Sequence, residues 1–346
     1  MKQVVVRAFG GVENLEIEER PTPAPAAGEV CVRVTSIGMN HAELMGRRGE
    51  YKLSTGEPPF VPGLEAGGVI EAVGDGVDKN RIGQRVVVGP DAPRLAVKGQ
   101  AGNYGGTYRS HYLCLDKQAL PAPDAIPDDQ LGAIWLAYLT AWGCLVWRQQ
   151  IREGDVVALP AASSSVALAA AQIVKARGGV SIGMTTSPRK VDQLKAMDAA
   201  AFDHLVVTHD ADRNMLPWHK DIKQITGGKG VNVFFDPVAA GAYLNSEIRC
   251  LAKGGCVWVY GLLGQPGEVD VTPLIRLQAS IRGWGMTQLV QQGEAVWRPE
   301  AEAVLQGFTD GQFKQHLGGT FKLDDVRAAH EEMEKGRHIG KLVLTP

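Results

Sequence analysis

The plainest chemistry in this 346-residue sequence lies in GDVVALPAASSSVALAAAQIVKARGG, an apolar strand, a turn of small residues and an Ala-rich helix. A dinucleotide pyrophosphate needs this arrangement, because only small side chains let the backbone and a helix N-terminus approach it and donate free N–H groups. The glycines that usually mark such a turn are absent. In their place stands Ala161-x-x-Ser164-x-x-Ala167, with Ser165 and Val166 inside it. Taken alone, those residues suit an N-capped helix packed closely on a strand better than a nucleotide turn. The next strand narrows the choice. It ends VSIGMTTSPRK, with Thr186 and Ser187 at the position, about twenty residues on, where an acid would hold the ribose 2′-hydroxyl of NAD. Arg189 and Lys190 follow, and cations in a first helical turn oppose the helix dipole, so the pair points to a 2′-phosphate and hence to NADPH (NADP). Two later strand ends, FFDPV with Asp236 and CVWVYG with Tyr260 and Gly261, lead into loops of the kind that line a cofactor crevice. Ordinary turn chemistry would also account for them.

The elements that must position these residues fall into two rhythms. Up to about residue 120 short β-type runs (KQVVVRAF, LEIEE, EVCVRVTSIG, GGVIEAVG, RIGQRVVVG, SHYLCL) alternate with Gly and Pro, as in an all-β barrel. From about residue 130 strands alternate with helices, which implies a parallel doubly wound sheet. After about residue 288 come a charged helical stretch, GGTFKL, the helical LDDVRAAHEEMEKG and a final strand KLVLTP. That last portion is too small to stand alone and is expected to complete the first domain. The expected division is 1–121 and 289–346 for the first domain and 122–288 for the inserted one.

Composition excludes several classes of partner. Lys plus Arg number 36 against 38 Asp plus Glu, a net charge of −2, so nothing draws the chain to nucleic acid. Five cysteines at odd spacing, with no C-x-x-C, suit buried thiols in a reducing compartment. The N-terminus has no signal-peptide core, and the uncharged run Val156 to Val174 is broken by Pro160 and three serines, so a cytoplasmic protein with no membrane partner is expected.

Three stretches, in order, carry a resemblance. GMNHAELMGRRGEY with VPGLEAGGVIEAVGDGV, then ALPAASSSVALAAAQIVKARG, then VNVFFDPVAA, CVWVYGLLG and GKLVLTP resemble the medium-chain dehydrogenase/reductase superfamily, in its zinc-independent quinone oxidoreductase-like and enone reductase-like branch. The resemblance implies an α/β chain with a Rossmann doubly wound parallel sheet domain inserted in a GroES-like β-barrel catalytic domain. It implies catalytic roles for Asn40 and Tyr51 on the substrate loop, and cofactor contacts from Thr140 in the LAYLTAW helix and from Lys341. Where zinc-bearing relatives place ligands, this sequence reads Gly38-Met39-Asn40 and Gly63-Leu64-Glu65, and no cysteine falls between Cys31 and Cys114. About three protein ligands are needed for a catalytic zinc, so no metal is expected, and His41 beside Glu43 reads as a capping or surface pair.

Without a metal Lewis acid the substrate must already be electrophilic, a quinone or an α,β-unsaturated carbonyl compound. A zinc alcohol dehydrogenase-type enzyme and a non-catalytic, crystallin-like nucleotide-binding protein are the alternatives. By resemblance the β-type run SIRGWGM pairs with its two-fold mate in a homodimer, with Ile281 and Trp284 at or beside the interface.

Overall fold

A computed structural model describes residues 1–50, 55–92 and 105–346. Tyr51 and most of the insert around residues 90–110 lie outside the described residues. The chain forms two compact units, one of Met1–Leu136, Leu305–Gly311 and Gln315–Pro346, the other of Ala137–Val304 and Gln312–Lys314.

In the first unit, β1 (Lys2–Val6) and β2 (Leu15–Glu19) form an antiparallel ribbon. Strands β3 (Glu29–Gly38), β4 (Ala66–Val73), β5 (Arg85–Val88), β6 (His111–Leu115) and β7 (Ala119–Pro121) build a second, larger sheet. The alternating apolar residues of β3, Val30, Val32 and Val34, face one core with Ile70, Val86, Tyr112 and Leu344. The adjacent glycines of β4 answer a close approach, since a Cβ on Gly68 would fall 2.1 Å from the Arg33 carbonyl oxygen. The chain's end returns as β14 (Leu317–Lys322) and β15 (Lys341–Thr345), and β15 pairs antiparallel with β3 through Val343 opposite Gly38. Leu305–Gly311 and Gln315–Pro346 of the C-terminal portion lie in the first unit, whereas residues 289–304, expected there too, lie in the second, and residues 122–136, expected in the second, lie in the first.

After β3 the chain forms a two-turn helix, α1 (His41–Arg48), at the start of the stretch read as a substrate loop. Asn40-x-x-Glu43 is its capping box, and Gly49 ends it in a left-handed conformation.

In the second unit six strands, β8 (Val156–Pro160), β9 (Val180–Thr185), β10 (His204–Val207), β11 (Val231–Asp236), β12 (Leu251–Val259) and β13 (Ser280–Gly283), are all parallel in the order β10-β9-β8-β11-β12-β13. That is the doubly wound sheet expected from the sequence, and its order reverses between β8 and β11, where such sheets open a crevice at their carboxyl ends. Helices α2 (Trp135–Trp142), α3 (Ser165–Ala176), α4 (Pro188–Ala196), α5 (His219–Ile225), α6 (Gly241–Cys250) and α7 (Thr272–Leu277) complete the alternation. The first of them begins in unit one and continues as a π-helical turn, Gly143–Arg148. The expected β-type run SIRGWGM stops at Gly283, because Trp284 turns inward: it is 5% exposed, donates its indole N–H to the Thr140 carbonyl at 2.8 Å and packs against Trp147.

Candidate functional site

The turn after β8 keeps the shape of a nucleotide turn without its glycines. Ala161 takes the left-handed conformation, φ 53°, that the first glycine of such a turn usually supplies. Ala162 N–H then bonds back to the Met184 carbonyl on β9 at 2.9 Å, holding turn and strand together. Ser164 caps α3, its hydroxyl accepting from Ala167 N–H at 3.2 Å. The early N–H groups of a helix have no intrahelical partner, and those of Ser165 and Val166 stand at this end. Ala167, in the first turn of α3, is fully buried.

Two side chains from other strand ends reach this turn. Lys190, in the first turn of α4, donates from Nζ to the Ser163 hydroxyl at 3.0 Å. Burial pulls its ammonium below the usual lysine range, a cost that an anion at the turn would offset. Tyr260, after β12, lies beside the Ser164 side chain and stacks on Phe235, with centroids 4.0 Å apart. Burial pushes its phenol up, so it stays a neutral donor. At the end of β9, Thr185 is buried, Thr186 is exposed and Ser187 begins α4, so no carboxylate stands there, and Arg189 is exposed beside them. Asp236 is spent in its own loop, accepting from Val238 N–H at 2.6 Å and Ala239 N–H at 2.8 Å. Gly261 fits against that loop, where a Cβ would come 2.9 Å from the Pro237 oxygen. Thr140 stands on α2, 8% exposed, with its carbonyl accepting from the Trp284 indole.

The first unit holds a separate polar cluster. Lys341, at the start of β15, pairs with Glu65 and donates to Asn40 Oδ1. Asn40 Nδ2 faces Glu65 Oε1 at 3.2 Å and Glu43 Oε1 at 3.3 Å, and Asn40 N–H donates to Glu43 Oε2 at 2.6 Å. Glu65 Oε2 accepts from Leu136 N–H at 3.0 Å. Glu43, Glu65 and Lys341 are 2, 0 and 1% exposed, an unusual depth for charged residues. Burial raises the Glu43 carboxyl to about 8 against the pull of Lys341 and of its bonds to Asn40.

The structure thus gathers Ser163, Ser164, Ala161, Ala167, Lys190 and Tyr260 at one place, and Asn40 with Lys341 at another. Sequence reasoning missed Ser163 as the partner of Lys190, and Glu43 and Glu65 as partners of Asn40. The capping-box spacing of Asn40 and Glu43 was the available signal for one of them. Among the described residues no group of three or more His, Cys, Asp and Glu is arranged to hold a metal ion. No helix among them is long and apolar enough to cross a membrane.

Comparison with known proteins agrees in both units. The alcohol dehydrogenase GroES-like domain family matches residues 26–124, and the zinc-binding dehydrogenase family matches residues 165–304. The synaptic vesicle membrane protein VAT-1 homologue of Rattus norvegicus is 28% identical over 365 aligned residues, covering 100% of this chain and 84% of its own length. A solved NAD-dependent alcohol dehydrogenase superposes with a TM-score of 0.83 at 28% identity, covering 100% of both chains. Escherichia coli quinone oxidoreductase, solved in complex with NADPH, superposes with a TM-score of 0.83 at 25% identity, again over 100% of both chains.

Proposed function

The chain belongs to the medium-chain dehydrogenase/reductase superfamily, in its quinone oxidoreductase-like branch, and we propose that it is an NADPH-dependent, zinc-independent reductase of quinones or α,β-unsaturated carbonyl compounds, working as a homodimer. The choice of NADPH rests on one observation. The end of β9 offers Thr186 and Ser187 instead of a carboxylate, and Lys190 folds from there onto Ser163 of the nucleotide turn. A 2′-phosphate would meet Lys190 with Arg189 beside it, whereas the 2′-hydroxyl of NAD would find no acid to accept its bond.

When bound, NADPH supplies a hydride. The chain's own residues have to hold it and stabilise the product anion. Ala161, Ser164, Ser165, Val166 and Ala167 offer the pyrophosphate a helix end and close backbone, and Tyr260 and Gly261 shape the neighbouring loop. Asn40 and Tyr51 are the proposed donors to the enolate or hydroquinone oxygen, and Thr140 is proposed to contact the nicotinamide side of the cofactor. A zinc-free reaction is supported by the use already made of the local acids: Glu65 is paired with Lys341, and both Glu43 oxygens accept from Asn40. A metal ion there would have to displace an ammonium that is itself buried.

The deciding experiment is NADPH oxidation measured against quinones, enals, enones and simple aldehydes, before and after dialysis against a strong chelator. Turnover of quinones or enones that survives chelation is expected. Turnover of simple alcohols or aldehydes alone, lost with stoichiometric zinc, would favour the zinc alcohol dehydrogenase reading.

A further inference from the structure

The Asn40 amide sits among three buried ionisable side chains whose charges do not sum to zero. Glu43 comes from α1, Glu65 from the segment before β4 and Lys341 from the start of β15. Two carboxylates and one ammonium would leave a net negative charge in the interior, and an interior sheds such a charge most cheaply by keeping a proton. Glu65 is in direct contact with the Lys341 ammonium, and its other oxygen accepts from Leu136 N–H at 3.0 Å. Among the described residues, Glu43 has only Asn40 hydrogen-bonded to its two oxygens. The other groups around it do not change the balance. Tyr108, whose hydroxyl has no partner among the described residues, is a neutral phenol raised by its burial. Arg47, on the same helix, is drawn off to Glu334 from Val326–Lys335, and His330 of that helix is neutral, pushed down to about 3 by burial beside Arg47.

Lysine carries donors only, so its bond to Asn40 Oδ1 settles which end of the amide is which. The Nδ2 group must then face the two carboxyls. We propose that Glu43, Glu65 and Lys341 are positioning residues that fix the orientation of the Asn40 amide, with one exchangeable proton kept on the Glu43 carboxyl. Loss of that proton turns Glu43 into a full acceptor on both oxygens, draws the Nδ2 hydrogens towards it and leaves the second acid of the cluster uncompensated. Lys341 acts through Asn40 and not on the cofactor. This inference rests on the reading of Asn40 as a substrate-facing donor, which requires one of the two Nδ2 hydrogens, both turned to carboxyls in the free chain, to pass to the substrate oxygen.

The sign of the pH effect follows from the proton count. Glu43 keeps its proton in the folded chain to about 8, while its ordinary value is 4.5, so the folded state binds more protons between these values and stability falls as pH rises across them. Glu43→Gln removes that part of the slope.

Infrared difference spectra of the whole protein read the carboxyl without substrate. A protonated-carboxyl band that disappears near pH 8 in the wild type and is missing in Glu43→Gln is expected. Identical spectra in the two proteins at every pH would overturn the assignment. In the quinone reductase assay, Lys341→Met should lower kcat about tenfold or more while the NADPH KM stays within about twofold, and Lys341→Arg should recover part of it. Because Lys341→Met strands Glu65, the double variant with Glu65→Gln keeps the test available if the single one fails to fold. A raised NADPH KM with intact kcat would make Lys341 a cofactor ligand and defeat the positioning role. A wild type that reduces no quinone or enone sinks the functional reading, and the infrared result still decides whether the proton is there.

Discussion

Ala161 holds a backbone conformation, φ 53°, that L-residues with a Cβ adopt at a cost of about 1–2 kcal/mol. Replacing it with glycine removes that cost but adds roughly 0.4–1 kcal/mol of chain entropy to the unfolded state. Ala161→Gly should therefore raise stability by about 0.5 kcal/mol, read from a denaturant midpoint, and a clear drop would show that the alanine methyl packs usefully. The contribution of the basic pair is larger. Replacing Arg189 and Lys190 together by Ala should weaken NADPH by roughly 2–4 kcal/mol and spare NADH, the range for losing charge-assisted contacts, as measured by fluorescence titration. Equal loss for both cofactors would remove the 2′-phosphate from the argument. The residues of this turn were legible because the requirement is local: small side chains at fixed spacing and a charge at the next strand end. The Ser163–Lys190 contact was not, since it joins positions 27 apart through the sheet. The partners of Lys341 were still further from view, with Asn40 some 301 positions away.

At the scale of elements, α6 carries a feature that no periodicity reveals. Glu247 sits on its inner face, 0% exposed, with neither oxygen partnered among the described residues, and Asp236 lies near enough to raise it further beyond the effect of burial. The indole nitrogen of Trp218, in the same core, is likewise without a partner among the described residues. A buried acid whose folded pKa lies well above 4.5 keeps its proton where the unfolded chain has lost it, so its contribution to stability declines as pH rises above that value. Glu247→Leu should raise stability by about 1–3 kcal/mol near pH 8, and by less near pH 5, in paired unfolding curves. A loss at both pH values would mean that the carboxyl has a partner that matters. The elements themselves were mostly readable. VSIGMT and VNVFFD became β9 and β11 residue for residue, because buried parallel strands are continuous apolar runs. Helix α1 was not read from HAELMGRR, whose two turns carry Gly46 and two arginines, and the capping box, not an apolar face, starts it. SIRGWGM was read too long, since the pattern could not tell an outward tryptophan from one that turns under its own sheet.

For the molecule as a whole, β13 is the open edge of a parallel sheet. Such an edge presents unpaired N–H and C=O groups and is an aggregation hazard unless covered. The chain between β12 and β13 carries exposed apolar residues: Leu262, Leu263, Val271 and Ile275, at 65, 46, 58 and 83% exposed. Solvent-facing apolar residues in the segment that leads into an open edge strand are what a second copy would cover, and an isologous pair is the commonest closed assembly. Ile281 is only half-buried but packs on the core beneath the sheet, and Trp284 is buried in its own unit, so substituting either would injure the fold together with any interface. Gly283 separates the two effects. It ends β13, it is exposed, and a Cβ added there meets nothing within 4 Å in the single chain. Gly283→Asp should leave the monomer's unfolding midpoint nearly unchanged, while placing like charges face to face across a two-fold strand pair, which opposes pairing. Light scattering at micromolar concentration should accordingly show a dimeric wild type and a monomeric variant. A wild type that is already monomeric there, or a variant that stays dimeric with the same affinity, would take β13 out of the assembly and leave its edge to be protected by the chain's own loops.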